Sequence, residues 1–175
     1  NCNIVEIGGG TGELTKYLLN KKYKSLKVIE IDNRFIKILQ GLSDADNYEI
    51  IKKNCLEINF DTEVLVGNLP YCITNVFLNH LAINCKYKYG FFMFQKEVVM
   101  KMIEKKGSKN YCALSVICQL HFSIVKYFNI SYDSFSSRPG VQSTFINIEY
   151  RQNLSLKFID FVHSCFRNRR KKLKN

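Results

Sequence analysis

Short apolar stretches alternate with segments of helical periodicity along most of this chain. A continuous apolar run is typical of a buried strand, and apolar residues recurring every three or four positions are typical of an amphipathic helix. The predicted strands cover residues 3–7, 26–31, 48–51, 63–66, 89–94, 123–130 and 144–150. The predicted helices cover residues 12–21, 33–41, 74–85, 96–106, 111–121 and 154–167. Repeated strand–helix units predict an α/β fold, with a mostly parallel seven-stranded sheet and helices on both faces.

The last two predicted strands and the first residues of the chain each lead to a further expectation. The connection between the last two strands is short and turn-like, which predicts an antiparallel pair that closes the sheet. At the other end, the first residue is Asn1 and the first strand begins almost at once. We therefore expect the natural beginning of the protein to be missing, so the sequence says nothing about a targeting peptide.

The polar and glycine features of the chain follow the ends of the predicted strands. A glycine turn, Gly8–Gly12, follows the first strand, and Glu30 lies at the tip of the second. Asn54 follows the third strand, and Asn68–Tyr71 follows the fourth. Ligands of parallel α/β sheets bind beyond the carboxyl ends of the strands. We therefore expect these four features to form one site.

The segment Asn68-Leu69-Pro70-Tyr71 is suited to hold a planar base by its exocyclic amine. The Asn68 side-chain oxygen and the Leu69 carbonyl can accept the two amino hydrogens. Pro70 restricts the backbone before it to extended conformations, and Tyr71 offers a ring on which a base can stack. The alternative is purely structural: a strand that ends in a tight turn, with Pro as the stop and Tyr in the core.

The glycine turn alone is a weak signal. Gly8, Gly10 and Gly12 have neither the Gly-x-Gly-x-x-Gly spacing of dinucleotide folds nor the ending of a nucleotide-triphosphate loop. The turn could bind phosphate or merely allow close strand–helix packing. Glu30 can accept two ribose hydroxyls, which suits any adenosine-containing cofactor. A dehydrogenase would share both features but would not use Asn68–Tyr71, so the combination favours S-adenosylmethionine.

Charge favours a polyanionic partner. The chain of 175 residues has a net charge of +11, and its last nine residues include six basic side chains and no acidic one. Such a tail is often only a solvated end, but together with the basic balance of the whole chain it predicts binding to RNA or DNA.

The sequence predicts neither a metal site nor a membrane span. The seven cysteines contain no Cys-x-x-Cys pair, so we expect free thiols in a reducing compartment rather than disulfides or zinc ligands. His80, His121 and His163 have no ligand or triad spacing and are expected to be ordinary core or surface residues. No apolar run approaches the ~18 residues that a membrane helix needs.

Several blocks, in order along the chain, resemble the ribosomal RNA adenine dimethyltransferases, the family of small-subunit dimethyladenosine transferases. The first, Val5–Thr15, is similar to the family's cofactor loop, with Gly9 where the family commonly has Pro. The others are Val28–Asp32, Asn68–Tyr71, Phe94–Val98, Leu114–Val116, Phe135–Pro139 with Val141 and Ser143, and Phe166–Asn175. In the Phe135 block, Ser137 replaces one Pro. The resemblance spans nearly the whole chain and implies a Rossmann-like class I S-adenosylmethionine-dependent methyltransferase.

The resemblance also implies an activity and a set of site residues. The implied reaction transfers methyl groups from S-adenosylmethionine to the N6 amine of two adjacent adenosines in small-subunit rRNA, as part of ribosome biogenesis. The implied catalytic residues are Asn68, Leu69, Pro70 and Tyr71. The implied cofactor-binding residues are Gly8, Gly10, Gly12, Glu30, Ile31, Asn54, Cys55 and Asn68. Base stacking is expected of Tyr71 and Phe135, and RNA phosphate contacts are expected of Arg167, Arg169, Arg170, Lys171 and Lys172.

Some of these roles have structural alternatives, and some residues depart from the family. Phe135 could instead pack in the core, and Glu6 could be either a buried structural acid or a neighbour of the cofactor's methionine end. Asn54 stands where the family has an acid that accepts from the cofactor's adenine amine. An amide oxygen can still accept this bond but carries no charge, so weaker cofactor binding is expected, by ~1 kcal/mol.

The resemblance divides the chain into a cofactor-binding methyltransferase domain, residues 1–151, and the start of a C-terminal helical RNA-binding domain, residues 152–175. The family's N-terminal Gln-Asn-Phe-Leu segment and most of its C-terminal domain are absent, so the chain as written could bind cofactor yet methylate poorly. We expect a cytoplasmic monomer that acts on rRNA, or one located in an organelle such as a mitochondrion or plastid.

Two other functions are compatible with the same motifs. One is a large-subunit rRNA adenine methyltransferase that confers antibiotic resistance, against which Leu69 and the Arg-Arg-Lys tail argue weakly. The other is an organellar transcription or ribosome assembly factor of the same fold, in which catalysis is dispensable. The intact Asn68–Tyr71 segment favours retained chemistry.

Overall fold

The computed structural model describes residues 1–131 and 140–167, which form a seven-stranded sheet in the order β3-β2-β1-β4-β5-β7-β6, with six α-helices. The strands are β1 Asn3–Ile7, β2 Ser25–Glu30, β3 Tyr48–Lys52, β4 Asp61–Gly67, β5 Lys86–Gln95, β6 Phe122–Ile130 and β7 Ser143–Tyr150. The helices are α1 Glu13–Leu19, α2 Asn33–Gln40, α3 Thr74–Asn84, α4 Lys96–Ile103, α5 Ala113–His121 and α6 Leu156–Arg167. Two 3₁₀ turns, Cys55–Glu57 and Tyr71–Ile73, follow β3 and β4.

Only β7 runs against the other strands. The β1 strand pairs in parallel with β2 and β4, and parallel pairing continues to β3 on one side and β5 on the other. The β7 strand lies between β5 and β6 and is antiparallel to both. The predicted mostly parallel sheet and the predicted antiparallel closing pair are therefore confirmed. The strand order reverses between β1 and β4, which is where ligands bind in open α/β sheets.

Helices cover both faces of the sheet, as predicted. One cluster of buried side chains combines the strands with α3, α4 and α5, and a second combines them with α1 and α2. The neighbouring residues Leu65 and Val66 of β4 belong to different clusters, because alternate side chains of a strand point to opposite faces. The side chains of β1 alternate in the same way, so helices pack on both faces of the strand that leads into the glycine turn.

The boundaries of the elements differ from the predictions by a few residues. Helix α1 begins at Glu13 rather than at residue 12, because Gly12 has a φ of 82° and so lies outside the right-handed helical region. Strand β5 is longer than predicted and begins at Lys86, where it pairs with Asp61 of β4. Neighbouring strands, rather than the local apolar pattern, therefore set the length of β5.

The last helix packs on the body of the sheet domain. Ile159 and Val162 of α6 are buried against Ala113 and Ile117 of α5. The N–H of Leu154, just before α6, donates to the carbonyl of Ala82 in α3 at 2.7 Å. The division of the chain between residues 151 and 152 remains a prediction, and residues 168–175 of the predicted second domain lie outside the described part.

Candidate active site

A cleft of about 450 Å³ opens at the carboxyl ends of β1, β2, β3 and β4. It brings together residues from all four predicted features of the site. Its lining consists of Ile7, Gly8, Gly10, Ile29, Glu30, Ile31, Phe35, Lys53, Asn54, Cys55, Asn68, Leu69, Pro70, Cys72 and Ile73. Of the predicted cofactor-binding residues, only Gly12 is absent from this lining. It lies at the N-terminus of α1, where a Cβ would come 2.8 Å from Leu42 Cδ1.

Glu30 connects the glycine turn to the tip of β2. One of its carboxylate oxygens accepts from the N–H of Gly10 at 2.9 Å. The other accepts from the N–H groups of Ile31 and Asp32 at 2.8 and 2.9 Å. Three main-chain donors thus hold a carboxylate that is only 8% exposed, and the oxygen bonded to Gly10 keeps a lone pair for a ligand.

A side chain at position 9 would require the neighbouring side chains to shift. A Cβ there would lie 2.6 Å from Val28 Cγ1 and 2.9 Å from Leu39 Cδ1. Val28 belongs to β2 and Leu39 to α2, so the turn lies directly on both elements. This contact is a physical reason for glycine where the resemblance expects proline.

Apolar side chains line the cleft beside Glu30. Ile31 is 62% exposed although it is a large aliphatic residue, and it lies directly after β2. The half-buried Phe35, from the first turn of α2, lines the same part of the cleft. Asp32 positions this helix, because its side chain accepts from the N–H of Arg34 at 2.8 Å and caps the helix. The arrangement offers an apolar surface to a flat ring next to a carboxylate.

Asn54 follows β3 and caps a short turn. Its side-chain oxygen accepts from the N–H of Leu56 at 3.1 Å, at the start of the 3₁₀ turn Cys55–Glu57. The N–H of Lys53 donates to the carbonyl of Glu30 at 3.2 Å, which holds the end of β3 next to the tip of β2. Asn54 and Cys55 therefore border the cleft one strand beyond Glu30.

The Asn68 segment lies against the glycine turn. Gly67, the last residue of β4, pairs with Ile7, the last residue of β1. Leu69 is only 3% exposed, and its Cδ2 atom would lie 3.7 Å from a Cβ built on Gly8. Asn68 is exposed, and among the described residues neither its side chain nor the Leu69 carbonyl has a hydrogen-bond partner. Two acceptors thus remain available to a ligand at the rim of the cleft.

Tyr71 is fixed through its hydroxyl. The hydroxyl lies 2.6 Å from the Ser143 Oγ, and Ser143 is fully buried at the start of β7. The bond ties the turn after β4 to the antiparallel strand. The half-buried Tyr71 ring is not part of the cleft lining, so base stacking on it remains a prediction.

Glu6 is a buried acid that supports the site from behind the cleft. It is 1% exposed, accepts from the Thr15 hydroxyl at 2.8 Å, and does not line the cleft. Burial raises the pKa of Glu6 to about 7, the Thr15 hydrogen bond opposes this rise, and the charge of Glu30 adds to it. Of the two roles considered for Glu6, the geometry supports the structural one.

We expect this raised pKa to appear as a pH dependence of stability. A carboxyl whose folded pKa lies above its ordinary value stabilises the fold fully below pH 4.5, and the contribution is lost as the pH rises through 7. Relative to the wild type, Glu6→Gln should therefore gain on the order of 3 kcal/mol in free energy of unfolding between pH 4.5 and pH 8. Urea unfolding at both pH values measures this difference. Glu13→Gln, at an exposed position of α1, serves as the control, and a Glu6→Gln difference that stays flat with pH would contradict the assignment.

His121 and His80 have structural roles, since both rings form hydrogen bonds within the fold. His121 is fully buried, with one ring nitrogen 2.6 Å from the Gln152 carbonyl and the other 3.0 Å from the Tyr87 hydroxyl. Burial lowers its pKa to about 4, so it is neutral near pH 7. The ring of His80 binds the Ile58 carbonyl at 2.7 Å.

Neither a disulfide nor a cluster of candidate metal ligands occurs in the part of the chain that the structure describes. All seven cysteines are free thiols, as predicted. Residues 1–131 and 140–167 hold no group of three His, Cys, Asp or Glu side chains that could bind a metal ion. Within the same ranges, no helix combines the length and the apolar composition needed to cross a membrane.

Some predicted site residues are outside the described part of the chain, and some lining residues were not predicted. Phe135, Arg169, Arg170, Lys171 and Lys172 lie outside the described residues, whereas Arg167 is the exposed last residue of α6. Sequence reasoning missed Phe35, Lys53, Cys72 and Ile73 in the cleft. The only available signal for them was their position within a few residues of a strand end.

Comparison with known proteins identifies relatives along the whole chain. The profile of the family described as ribosomal RNA adenine dimethylase matches residues 1–175. The small-subunit rRNA methyltransferase A of Mycoplasma mobile is 36% identical over 183 residues, covering all of this chain and 72% of the relative. The enzyme of the same name from Prochlorococcus marinus is 36% identical over 194 residues, covering all of this chain and 71% of the relative.

Solved structures agree in fold. A dimethyladenosine transferase from Plasmodium falciparum superposes with a TM-score of 0.82 and 27% identity, over 99% of this chain and 66% of that protein. The 23S rRNA methyltransferase ErmE superposes with a TM-score of 0.72 over 95% of this chain and 69% of its own, but at 22% identity it supports the fold alone. The fold is that of the Rossmann-like class I methyltransferases, and the chain belongs to the ribosomal RNA adenine dimethylase family.

Proposed function

We propose that this chain binds S-adenosylmethionine in the cleft and transfers its methyl group to the N6 amine of two adjacent adenosines in small-subunit rRNA. Family membership supplies the reaction class, and the names of the bacterial relatives support the small subunit as substrate. The observation that carries the proposal is the pair of open acceptors, Asn68 Oδ1 and the Leu69 carbonyl, at the rim of the cleft that contains Gly8 and Glu30.

The residues of the cleft fit this cofactor. The Glu30 oxygen that accepts from the Gly10 N–H keeps a lone pair, and the carboxylate is the proposed acceptor of the ribose hydroxyls. The exposed Ile31 and the ring of Phe35 can cover the faces of an adenine, and burying exposed aliphatic surface of this kind is favourable. The glycine turn leaves room for the part of the ligand that extends toward Asn68. When bound, S-adenosylmethionine supplies a methyl group activated by a positively charged sulfur.

Asn68 and Leu69 make the target amine nucleophilic. The lone pair of an adenine amino nitrogen is delocalised into the ring, so the free amine reacts poorly. Hydrogen bonds from the two amino hydrogens to Asn68 Oδ1 and to the Leu69 carbonyl favour a geometry in which this lone pair is localised. Pro70 restricts the backbone at Leu69, and the burial of the Leu69 side chain holds the carbonyl in position. As the N–CH₃ bond forms and the S–CH₃ bond breaks, S-adenosylhomocysteine is left and the methylated amine loses its proton to water. The residues thus act by alignment and electrostatics, and the site needs no dedicated general base.

The adenosine must leave its stack to reach these acceptors. Stacking on an aromatic ring compensates at ~1–3 kcal/mol per base. Tyr71 is the proposed platform on one side, since its hydroxyl bond to Ser143 holds the ring in place. Phe135 is proposed for the other side.

RNA phosphates are the proposed partners of the basic residues Arg167, Arg169, Arg170, Lys171 and Lys172, within a helical RNA-binding region that begins near residue 152. The proposed active unit is a monomer. An rRNA substrate restricts the enzyme to a compartment where ribosomes are assembled, the cytoplasm or an organelle.

The test is methyl transfer by the full-length protein from labelled S-adenosylmethionine to undermethylated small- and large-subunit particles, followed by mapping of the modified bases. We expect label in small-subunit rRNA as dimethyladenosine at two adjacent positions. Label confined to large-subunit RNA would replace the proposal with the resistance-type activity. No label in either particle would favour an assembly or transcription factor.

A further inference from the structure

Ser143 is a buried polar residue at the edge of the sheet where the cleft opens. It is 0% exposed and occupies the first position of β7. Its hydroxyl lies 2.6 Å from the Tyr71 hydroxyl, and either group could be the donor. Tyr71 follows β4, whereas β5 separates β4 from β7 in the sheet. The bond therefore connects two segments that the pairing of the strands does not bring together.

The main chain holds Ser143 in place from both sides. Ser143 pairs with Gln95 at the end of β5 and with Ile130 at the end of β6. Just before it, the Gln142 carbonyl accepts from the N–H of Lys96 at 2.8 Å, and the Gln142 side-chain oxygen accepts from Lys96 Nζ at 2.9 Å. Ser143 is therefore a fixed point to which a neighbouring group can be attached.

The segment Asn68–Tyr71 has few attachments of its own. It leaves the sheet after Gly67, and the buried side chain of Leu69 holds its middle. The Tyr71 ring is only half-buried, and an aromatic side chain can rotate about two torsions. Without a bond at the hydroxyl, packing alone would set the direction of the ring. The bond to Ser143 thus fixes the far end of the segment that carries the two acceptors.

We propose that Ser143 is a positioning residue for the methyl transfer, which acts through the Tyr71 hydroxyl on the ring where the target adenosine stacks. The inference rests on the proposed function. It gives the phenolic hydroxyl a task that a phenylalanine could not perform, although both rings offer a face for stacking. A misplacement of about 1 Å can cost a hundredfold in rate, so a loosened ring is sufficient to slow the transfer.

The test measures single-turnover methyl transfer by the full-length protein to saturating undermethylated small-subunit particles. Ser143→Ala and Tyr71→Phe each remove one of the two hydroxyls, and each should lower the rate about tenfold. The double variant should be no slower than the slower single variant, because both changes break the same bond. The dissociation constant for S-adenosylhomocysteine should stay within about twofold in all three variants, since neither residue lines the cleft.

Thr144→Val is the matched control. Thr144 follows Ser143 in β7, is 1% exposed, and donates from its hydroxyl to the Asn129 side-chain oxygen at 2.8 Å. Its side chain points to the opposite face of the sheet, because side chains alternate along a strand. The variant thus also loses a hydroxyl bond of β7. Its melting temperature should fall about as much as that of Ser143→Ala, but its rate should equal that of the wild type.

A Ser143→Ala variant that transfers methyl groups at the wild-type rate would overturn the inference. A double variant whose loss is the product of the two single losses would do so too, and so would an equal loss of rate in Thr144→Val. If Ser143→Ala does not fold, Tyr71→Phe decides by the same criterion, because it keeps the ring and removes only the hydroxyl. A wild type that does not methylate small-subunit rRNA would instead overturn the proposed function.

Discussion

Replacement of Asn68 by alanine is expected to lower the rate of methyl transfer about a hundredfold or more. Removing one preorganised hydrogen-bonding group that acts on the reacting atoms typically costs this much. Asn68 is exposed and has no hydrogen-bond partner among the described residues, so its loss should change the free energy of unfolding by less than about 0.5 kcal/mol. Single-turnover transfer of labelled methyl groups to undermethylated small-subunit particles measures the rate.

Two controls separate chemistry from binding and folding. Affinity for S-adenosylhomocysteine should change less than about tenfold in Asn68→Ala, because Glu30 and the apolar walls of the cleft remain. Asn59→Ala removes another exposed amide just before β4, at the opposite end of the strands, and should leave the rate unchanged. A variant without Asn68 that forms dimethyladenosine at the wild-type rate would remove the basis of the proposed mechanism.

Replacement of Glu30 by alanine is expected to weaken cofactor binding about a hundredfold. The carboxylate is the proposed acceptor of the ribose hydroxyls, and a hydrogen bond to a charged group contributes roughly 1.5–3 kcal/mol. The change also removes the acceptor for the N–H groups of Gly10, Ile31 and Asp32, so the glycine turn loses its connection to β2. Titration with S-adenosylhomocysteine measures the affinity.

Glu49→Ala is the matched control for this variant. Glu49 is an exposed strand carboxylate on β3 that forms an ion pair with Lys27 at 3.2 Å and does not line the cleft. Its removal should leave cofactor affinity unchanged. A Glu30→Ala variant that retains its melting temperature and binds within a few-fold of the wild type would show that the ribose is held elsewhere.

Much of the fold could be predicted because its signals are local. The apolar run before Gly8 and the leucines after it identify a strand and a helix without reference to any other part of the chain. The parallel arrangement follows from the alternation of these units. The rule that ligands bind beyond the carboxyl ends of strands was sufficient to expect Glu30 and Asn68 in one site, and both line the same cleft.

Other features depend on contacts between residues that are far apart in sequence. The hydroxyl bond between Tyr71 and Ser143 spans 72 positions, and no periodicity indicates it. The length of β5 depends on its pairing with β4 and β7, and the position of β7 between β5 and β6 depends on the whole sheet. Such features have no local signal, since each arises only when distant segments pair or pack.

The sequence by itself determined which residue types stand at the strand tips and therefore the chemistry available there. Only the tertiary structure decided how those groups are oriented: Glu30 bonded to the glycine turn, Glu6 buried behind it, and the Asn54 oxygen turned toward Leu56. The physical reason is that residue identity fixes which donors and acceptors exist, whereas burial and hydrogen-bond partners depend on the packing of the whole domain and decide which of them a ligand can reach.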